Sequence, residues 1–428
     1  MTIEEFYPLF LNQHQAFSTD SRKIQSGDIF FALKGDSFNG NKYAAQCLKQ
    51  GASYVIVDEE IEDKNDQTIM VADVLTFIQE LATYHRRQFN IPIVAIAGSN
   101  GKTTTKELLI SVLSKQFKTH ATAGNFNNHI GVPLTLLSMP LDTEIGLIEI
   151  GTNAFGEIAF LSKMVEPSHG IITNIGKEHL EGFGDIEGVA REESELFHYL
   201  MKHEGIAFVN GDDMYLNRMA HRLTNKITYS ISNAEVDVYG EVLNTAPDLK
   251  IAYHDVVINS MLSGLHNAQN IIASVAIGSH FGIQPSKIAE GVNDYEPSNN
   301  RSETKHIGDN HFLLDAYNAN PSSMEAAIDT FATINHPSKV ILLGDMFEMG
   351  NTAMEEHRKI AEYALSKDIP TILTGSQFAA AITDQKVKIY TTTDELIDYL
   401  KSHSYRDTWF LVKGSRGMKM ERVLEAFE

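Results

Sequence analysis

Gly98-Ser-Asn-Gly-Lys-Thr-Thr104 is the stretch from which the rest of this chain is read. The apolar run Ile93–Ala97 precedes it directly, and a helix is expected from Thr105 onward. A glycine-bounded loop between a buried strand and a helix is a phosphate cradle. Glycines let the backbone curl so that N–H groups point inward, and the helix N-terminus favours an anion. On that reading Gly98, Ser99, Asn100, Gly101, Lys102, Thr103 and Thr104 form a nucleotide loop, and ATP is the expected nucleotide. Lys102 reaches the β- and γ-phosphates, and the Thr103 hydroxyl can ligate Mg²⁺. The loop has two residues between its glycines where the generic pattern has four, and Ile96 stands where the generic first glycine would lie. A glycine turn followed by a chance Gly-Lys-Thr is the alternative, and the strand–loop–helix context speaks against it.

The surrounding chain sets the class. Its 428 residues exceed one ordinary core, so two or three domains are expected. Composition is 43% apolar and 21% charged, without a stretch long and apolar enough for a bilayer. The acidic start, Met1-Thr-Ile-Glu-Glu5, is unlike a secretory leader, and a single cysteine, Cys47, excludes an internal disulfide framework. Together these point to the cytoplasm. A formal net charge of −21 argues against a nucleic-acid surface. Any anionic ligand must therefore be held locally, by backbone amides, a few basic side chains or metal ions.

Three blocks emerge. Residues 1–88 read as a small α/β domain: an apolar run Asp28–Leu33, a helical stretch ending at Gly51, a strand Tyr54–Val57, and a helix from about Asp73 to Arg87. Residues 89–297 alternate short apolar runs with helices, the mark of a parallel sheet wrapped by helices. The strands are Ile93–Ala97, Ile145–Ile150, Gly170–Thr173 and Ile206–Asn210; a β excursion over Lys226–Asn259 precedes a helix from about Asn267 to Phe281. Residues 298–428 follow a turn-rich linker, Tyr295–Asn300. They read as strand His311–Asp315, helix Ser322–Thr333, strand Val340–Leu343, helix Met354–Ser366, strand Thr371–Thr374, helix Thr393–His403 and strand Trp409–Val412, a doubly wound, Rossmann-like pattern.

Further polar residues fall at the carboxyl ends of predicted strands, where open α/β sheets bind ligands. Glu149 ends one strand, and His179 lies just beyond another. With the loop they make a plausible metal and triphosphate site, although His is an unusual Mg²⁺ ligand and a surface loop histidine is the even alternative. Asn267, in Gly264-Leu-His-Asn267, suits either a helix cap or a base contact, with Asn270 one turn on. Asp315-Ala-Tyr-Asn-Ala-Asn-Pro321 is either an ordinary turn or a polar pocket, and Lys413-Gly-Ser-Arg-Gly417 either a second anion site or a basic surface turn.

Taken together, the loop, Glu149, Asn174 with His179, Gly264-x-His-Asn267, Arg301 and Asp315 resemble the ATP site of the Mur ligases, which build the peptide stem of bacterial cell-wall precursors. The resemblance spans essentially the whole chain, in the family's order. Five further stretches resemble the member that adds the final dipeptide: Asp20-Ser-Arg22, Gly124–Leu134, Tyr317–Met324, Leu343–Gly350 and Lys413–Met418. The Asp-Asn-Pro-Arg stretch usual in the member acting just before it does not occur here.

The resemblance implies three domains and a monomer that takes ATP and Mg²⁺. It also implies small-molecule partners, a UDP-N-acetylmuramoyl-tripeptide and D-alanyl-D-alanine. Ser21 and Arg22 would lie near the uridine nucleotide, and Asn125, Asn127 and Asn128 near the peptide-bearing substrate. Tyr317, Asn318, Asn320 and Arg416 would complete substrate binding. Asn267 and Asn270 would meet the adenine, Arg301 the phosphates and Asp315 the ribose. Lys102, His179 and Lys413 would take the catalytic roles, with Thr103, Glu149, His179 and Glu193 on Mg²⁺. Two departures stand out. Many members carry a carbamylated lysine at the position of Glu193, in Ala190-Arg-Glu-Glu-Ser-Glu-Leu196. Glu193 then supports the metal on a shorter side chain or is only a charged helix residue. Asn39-Gly-Asn41 stands where Asp-Gly-His is common. A related ligase with another acceptor, of the folate-glutamate or cyanophycin type, and a nucleotide-binding module without ligase activity are the rival readings.

Overall fold

The computed structural model describes residues 1–61, 64–298, 300–384 and 387–428. The chain is α/β throughout and forms two compact units. One unit comprises residues 1–95, 118–151 and 159–168; the other comprises 96–117, 152–158 and 169–428. The boundary cuts the strand Ile93–Ala97, so the phosphate loop opens the second unit.

In the first unit, Phe17–Ser18, Ile29–Phe31, Tyr54–Val57 and Thr68–Met70 line up in that order as a parallel sheet. The sheet is apolar on both faces. Phe30, Val55 and Val57 pack with Ala44, Cys47 and Ala52, while Phe31 and Phe77 meet the edges of Phe6. The expected helix appears as Val74–Arg86, capped by the Asp73 side chain on the Thr76 N–H. Arg86 is buried at its end, and its guanidinium donates to the carbonyls of Phe89, Val165 and Glu166. A charged side chain is tolerated there because each guanidinium nitrogen finds a backbone acceptor. Thr119–Ala121 and Ile145–Glu149 pair in parallel.

The second unit holds two sheets with helices and a small antiparallel sheet. His169–Ile172, Ile206–Asn210, Lys226–Ser230 and Val238–Tyr239 run parallel in succession. The expected β excursion therefore splits: its first strands extend the parallel sheet, and Glu241–Asn244, Leu249–Tyr253 and Val256–Ser260 form the antiparallel one. The linker follows, with residue 299 outside the described residues.

The last sheet has the order Glu303–Ile307, Asn310–Asp315, Trp409–Lys413, Lys339–Gly344, Thr371–Thr374 and Lys388–Tyr390. Only the first strand is antiparallel to its neighbour. The helices Pro321–Thr333, Ala353–Leu365 and Ser376–Ala381 cover one face, and Thr393–Lys401 covers the other with the C-terminal turns. The last strand of the chain thus lies second from one end of this parallel set, and its carboxyl end sits beside Asp315.

Most expected strands and helices fall within a few residues of the observed ones. Glu303–Ile307 and Lys388–Tyr390 were not expected: both are polar edge strands with no apolar run to mark them. The helix after the phosphate loop begins at Lys102 rather than Thr105, because Gly101 at φ +82° turns the chain directly into it.

Phe331 is fully buried in the core under the C-terminal sheet. Phe331→Ala is expected to cost about 3–5 kcal/mol of stability, read as a lower urea midpoint by circular dichroism.

Candidate active site

The phosphate loop is braced from outside by the segment that follows His169–Ile172. The Ser99 N–H donates to Asn174 O (3.0 Å), and the Asn100 N–H donates to Asn174 Oδ1 (3.1 Å). Asn100 O accepts from Asn174 Nδ2 and Thr173 Oγ1, both at 2.7 Å, and the Gly176 N–H donates to Ser99 Oγ (2.9 Å). Gly98, at φ +112°, has no room for a side chain: a Cβ there would strike Thr173. At Gly101 a Cβ would lie 2.7 Å from Asn270 Oδ1, so Asn270 packs directly on the loop. No side chain caps the helix at Gly101, and its N-terminal dipole faces the loop. Thr103 and Thr104 lie in its first turn.

Lys102 is folded back on the loop. Its ammonium donates to Gly98 O and to Ser99 O (3.4 Å) and lies 3.9 Å from Glu178 Oε2. Glu193 accepts the Gly98 N–H at Oε2 (2.8 Å). Among the described residues its other oxygen, Oε1, is buried without a hydrogen-bond partner. Burial raises both carboxyls above the ordinary range, with Glu193 pushed up to about 8. One ammonium stands beside two buried carboxyls, and a second cation there would favour their charged form. Hard oxygen donors and an orphaned carboxylate oxygen fit a divalent cation such as Mg²⁺. Glu178 was not singled out from the sequence; its only signal was adjacency to His179.

His179 sits at φ +45°. Its Nδ1 is 2.6 Å from Glu348 Oε2, and its Nε2 is 3.8 Å from Glu178 Oε2. The His179 ring beside it holds the Glu348 carboxyl below the usual range.

A polar chain leads from the loop into the C-terminal sheet. Asn270 Nδ2 donates to Asn267 Oδ1 (3.1 Å), and Asn267 Nδ2 donates to Ser263 O (2.8 Å) and Ser302 Oγ (3.2 Å). The Ser302 N–H donates to Asp315 Oδ1 (3.3 Å), and Asp315 Oδ2 pairs with Lys413 Nζ at 2.5 Å. The buried Lys413 also donates to Asn318 O (3.2 Å), and its charge holds the Asp315 carboxyl below the usual range against the effect of burial. Asn267 is not the helix cap. The helix starts at Leu265 after Gly264, which leaves Asn267 in the first turn, its Nδ2 donating back to Ser263 O and its Oδ1 accepting from Asn270 rather than from a helix N–H.

The loop and the C-terminal sheet also meet where Asn320 Nδ2 donates to Asn100 Oδ1 (2.8 Å). Arg301 stacks 3.6 Å from the Tyr317 ring centre; Arg416 lies 5.2 Å from it and donates to the hydroxyl (3.3 Å). The second unit thus gathers the loop, His179, Glu193, Asn267, Asn270, Arg301, Asp315, Tyr317, Asn318, Asn320, Lys413 and Arg416.

The remaining candidates belong to the first unit. Glu149 is buried, and its Oε1 accepts from Asn127 Nδ2 (2.9 Å). Asn128 Oδ1 accepts the Gly131 N–H (2.9 Å) where the next helix starts, and Asn125 O accepts the Asn127 N–H (2.8 Å). Ser21 is buried; the exposed Arg22 forks onto Asp20 at 2.8 Å and holds that carboxyl well below the usual range.

A phosphate loop, buried carboxylates and a histidine in one unit make a nucleotide-dependent enzyme of the Mur type. Three family descriptions match the chain: "Mur ligase family, catalytic domain" over residues 15–86, "Mur ligase middle domain" over 96–278, and "Mur ligase, glutamate ligase domain" over 300–416. The chain belongs to the Mur ligase family.

Among its relatives is the UDP-N-acetylmuramoyl-tripeptide–D-alanyl-D-alanine ligase of Bacillus subtilis, 32% identical over 95% of this chain and 92% of that protein. The crystal structure of MurF from Acinetobacter baumannii superposes with a TM-score of 0.87 at 31% identity, covering 96% of this chain and 93% of that one. The MurF ligase of Thermotoga maritima, solved in complex with ADP, shares the fold at a TM-score of 0.86 and 24% identity, over 97% of each chain.

Glu193 generates a pH prediction. Its folded-state pKa of about 8 lies above the ordinary 4.5, so the folded chain holds a proton that the unfolded chain releases. Stability from this group is complete below pH 4.5, falls as pH rises towards 8, and is level beyond. Glu193→Gln, neutral throughout, is expected to melt progressively higher than the wild type across that window in chelating buffer. Parallel melting curves from scanning fluorimetry would contradict this.

Proposed function

We propose that this chain is an ATP-dependent amide ligase that joins D-alanyl-D-alanine to a UDP-N-acetylmuramoyl-tripeptide in peptidoglycan precursor synthesis, releasing ADP and phosphate. The observation that carries this reading is the polar chain from Gly101 through Asn270, Asn267, Ser302 and Asp315 to Lys413, which ties a phosphate loop to a second α/β sheet within one unit. The name and near-complete coverage of the Bacillus subtilis relative support the choice of substrates. No helix among the described residues is long and apolar enough to cross a membrane; small-molecule substrates, a cytoplasmic location and a monomer are proposed alongside.

A carboxylate does not react with an amine at neutral pH, because its negative charge makes it a poor electrophile. Transfer of the γ-phosphoryl group to the terminal carboxylate of the tripeptide gives an acyl phosphate. The amine of D-alanyl-D-alanine attacks the acyl carbon, the amide bond forms, and phosphate leaves with the electron pair of the broken C–O bond. Lys102 exchanges its contacts with the Gly98 and Ser99 carbonyls for the phosphates and offsets charge in the first transfer. The loop amides and the helix N-terminus hold the phosphate chain.

Asn267 and Asn270 take the adenine, Asp315 the ribose, and Arg301 the phosphates. Lys413 orients Asp315 through its ion pair. Ser21 and Arg22 take the uridine nucleotide, and Asn125, Asn127 and Asn128 the muramoyl peptide. Tyr317, Asn318, Asn320 and Arg416 take the dipeptide side. Thr103, Glu149, His179 and Glu193 are the set proposed for Mg²⁺, which neutralises phosphate charge when bound. The division into residues 1–88, 89–297 and 298–428 is proposed alongside, supported by the spans of the three family matches.

Incubation with UDP-N-acetylmuramoyl-tripeptide, D-alanyl-D-alanine and ATP is expected to yield the pentapeptide with ADP and phosphate. Nucleotide release that needs neither co-substrate would overturn the reading. Lys102→Ala is expected to lower kcat by about 10²–10³-fold, the scale of losing one charge-stabilising group. Glu193→Ala is expected to weaken Mg²⁺-dependent turnover, and full activity in that variant would remove Glu193 from the metal set.

A further inference from the structure

The stretch Leu343–Gly350, singled out in the sequence, finds no place in the reaction as derived above. The structure brings it onto the segment that carries His179. Glu348, at φ +63°, places Oε2 2.6 Å from His179 Nδ1, and His179 itself sits at φ +45°. Neither is glycine, so the left-handed backbone at both positions is disfavoured and must be held by its surroundings. The surroundings do hold it. The Glu181 N–H donates to Glu348 O (3.4 Å), and Gly350, at φ +51°, packs on Glu181 so closely that a Cβ would lie 3.1 Å from its Cα. Two residues before His179, the Lys177 N–H donates to Ser322 Oγ (3.0 Å) and its ammonium forks onto Glu356 at 2.9 and 3.1 Å. Residues 322–356 thus grip the histidine segment on both sides of the ring.

A carboxylate only accepts, so the Glu348 contact puts the proton of a neutral His179 on Nδ1. Nε2 then carries the lone pair, and it faces the buried Glu178 carboxylate at 3.8 Å, beyond hydrogen-bond reach. Carboxylates that bind the distal nitrogen of a metal-ligating imidazole fix its tautomer and orientation.

We propose that Glu348 is a positioning residue: it locks His179 as the Nδ1–H tautomer, presents Nε2 to the cation of the phosphate site, and makes cation affinity there depend on residues 322–356 being in place. The proposal rests on the ligase reading for the role of His179. It assigns Glu348 no contact with the reacting atoms.

The test uses the full-length protein labelled with ¹⁵N-histidine, the His179 signal being assigned by its loss in His179→Gln. Long-range ¹H–¹⁵N correlation without metal or nucleotide is expected to show Nδ1–H in the wild type and in Glu348→Gln, whose amide oxygen still accepts. Glu348→Ala is expected to shift towards Nε2–H. Mn²⁺ binding in the presence of ADP, followed by electron paramagnetic resonance, is expected to weaken about tenfold in Glu348→Ala and to stay near the wild type in Glu348→Gln. An Nε2–H tautomer in the wild type overturns the proposal with no variant needed. So does a folded Glu348→Ala protein with unchanged tautomer and Mn²⁺ affinity. Failure of the wild type to bind Mn²⁺ with ADP overturns the cation role that the ligase reading gives His179, a separate failure from that of the metal-free tautomer measurement.

Discussion

Lys102 brings one positive charge to a place where two buried carboxylates, Glu178 and Glu193, already converge. Buried charges are costly unless paired, and here burial raises both carboxyls so that they lean towards their neutral form. The protein manages that cost with backbone dipoles. Glu193 takes the Gly98 N–H, and the ammonium of Lys102 takes the Gly98 and Ser99 carbonyls. The curled loop is therefore held from inside by groups of both signs, and from outside by Thr173 to Gly176. Glycine is required at both positions, since each has a positive φ and a side chain would strike Thr173 or Asn270.

From that centre the remaining polar residues form a connected system. Asn270 touches the loop and hands its hydrogen bond to Asn267, which reaches Ser302; Ser302 reaches Asp315, which pairs with Lys413. A displacement of the C-terminal sheet would break bonds at Asn267, Asn320, Lys177 and His179 together. Glu193, at the position where the resemblance places a carbamylated lysine, fits the same picture. A shorter side chain cannot reach as far as a carbamylated lysine, but it does reach the first amide of the loop.

The fold was largely legible. Ile93–Ala97, Ile206–Asn210 and Trp409–Lys413 are buried along nearly their whole length, so they appear as uninterrupted apolar runs. Edge strands such as Glu303–Ile307 left no such trace, because one side faces solvent and their residues are mixed. The phosphate loop was legible because glycine spacing reports backbone geometry directly. Asn267 was ambiguous for the opposite reason: an asparagine near a helix start suits a cap or a tertiary contact equally, and only the position of Gly264 separates them.

What the chain's residues determined by themselves was local: strand, loop and helix around Lys102, the alternation of the C-terminal sheet, and the family to which the motifs belong. These depend on residues near in sequence. The partners of the site residues depended on tertiary structure alone. Glu348 lies 169 residues from His179, and Asn320 lies 220 from Asn100. Nothing in a sequence window marks which of many glutamates will face a given histidine, because that is set by how whole sheets pack. The same holds for Glu193, whose burial and hydrogen bond to Gly98 turned a charged residue of a helix into part of the phosphate loop.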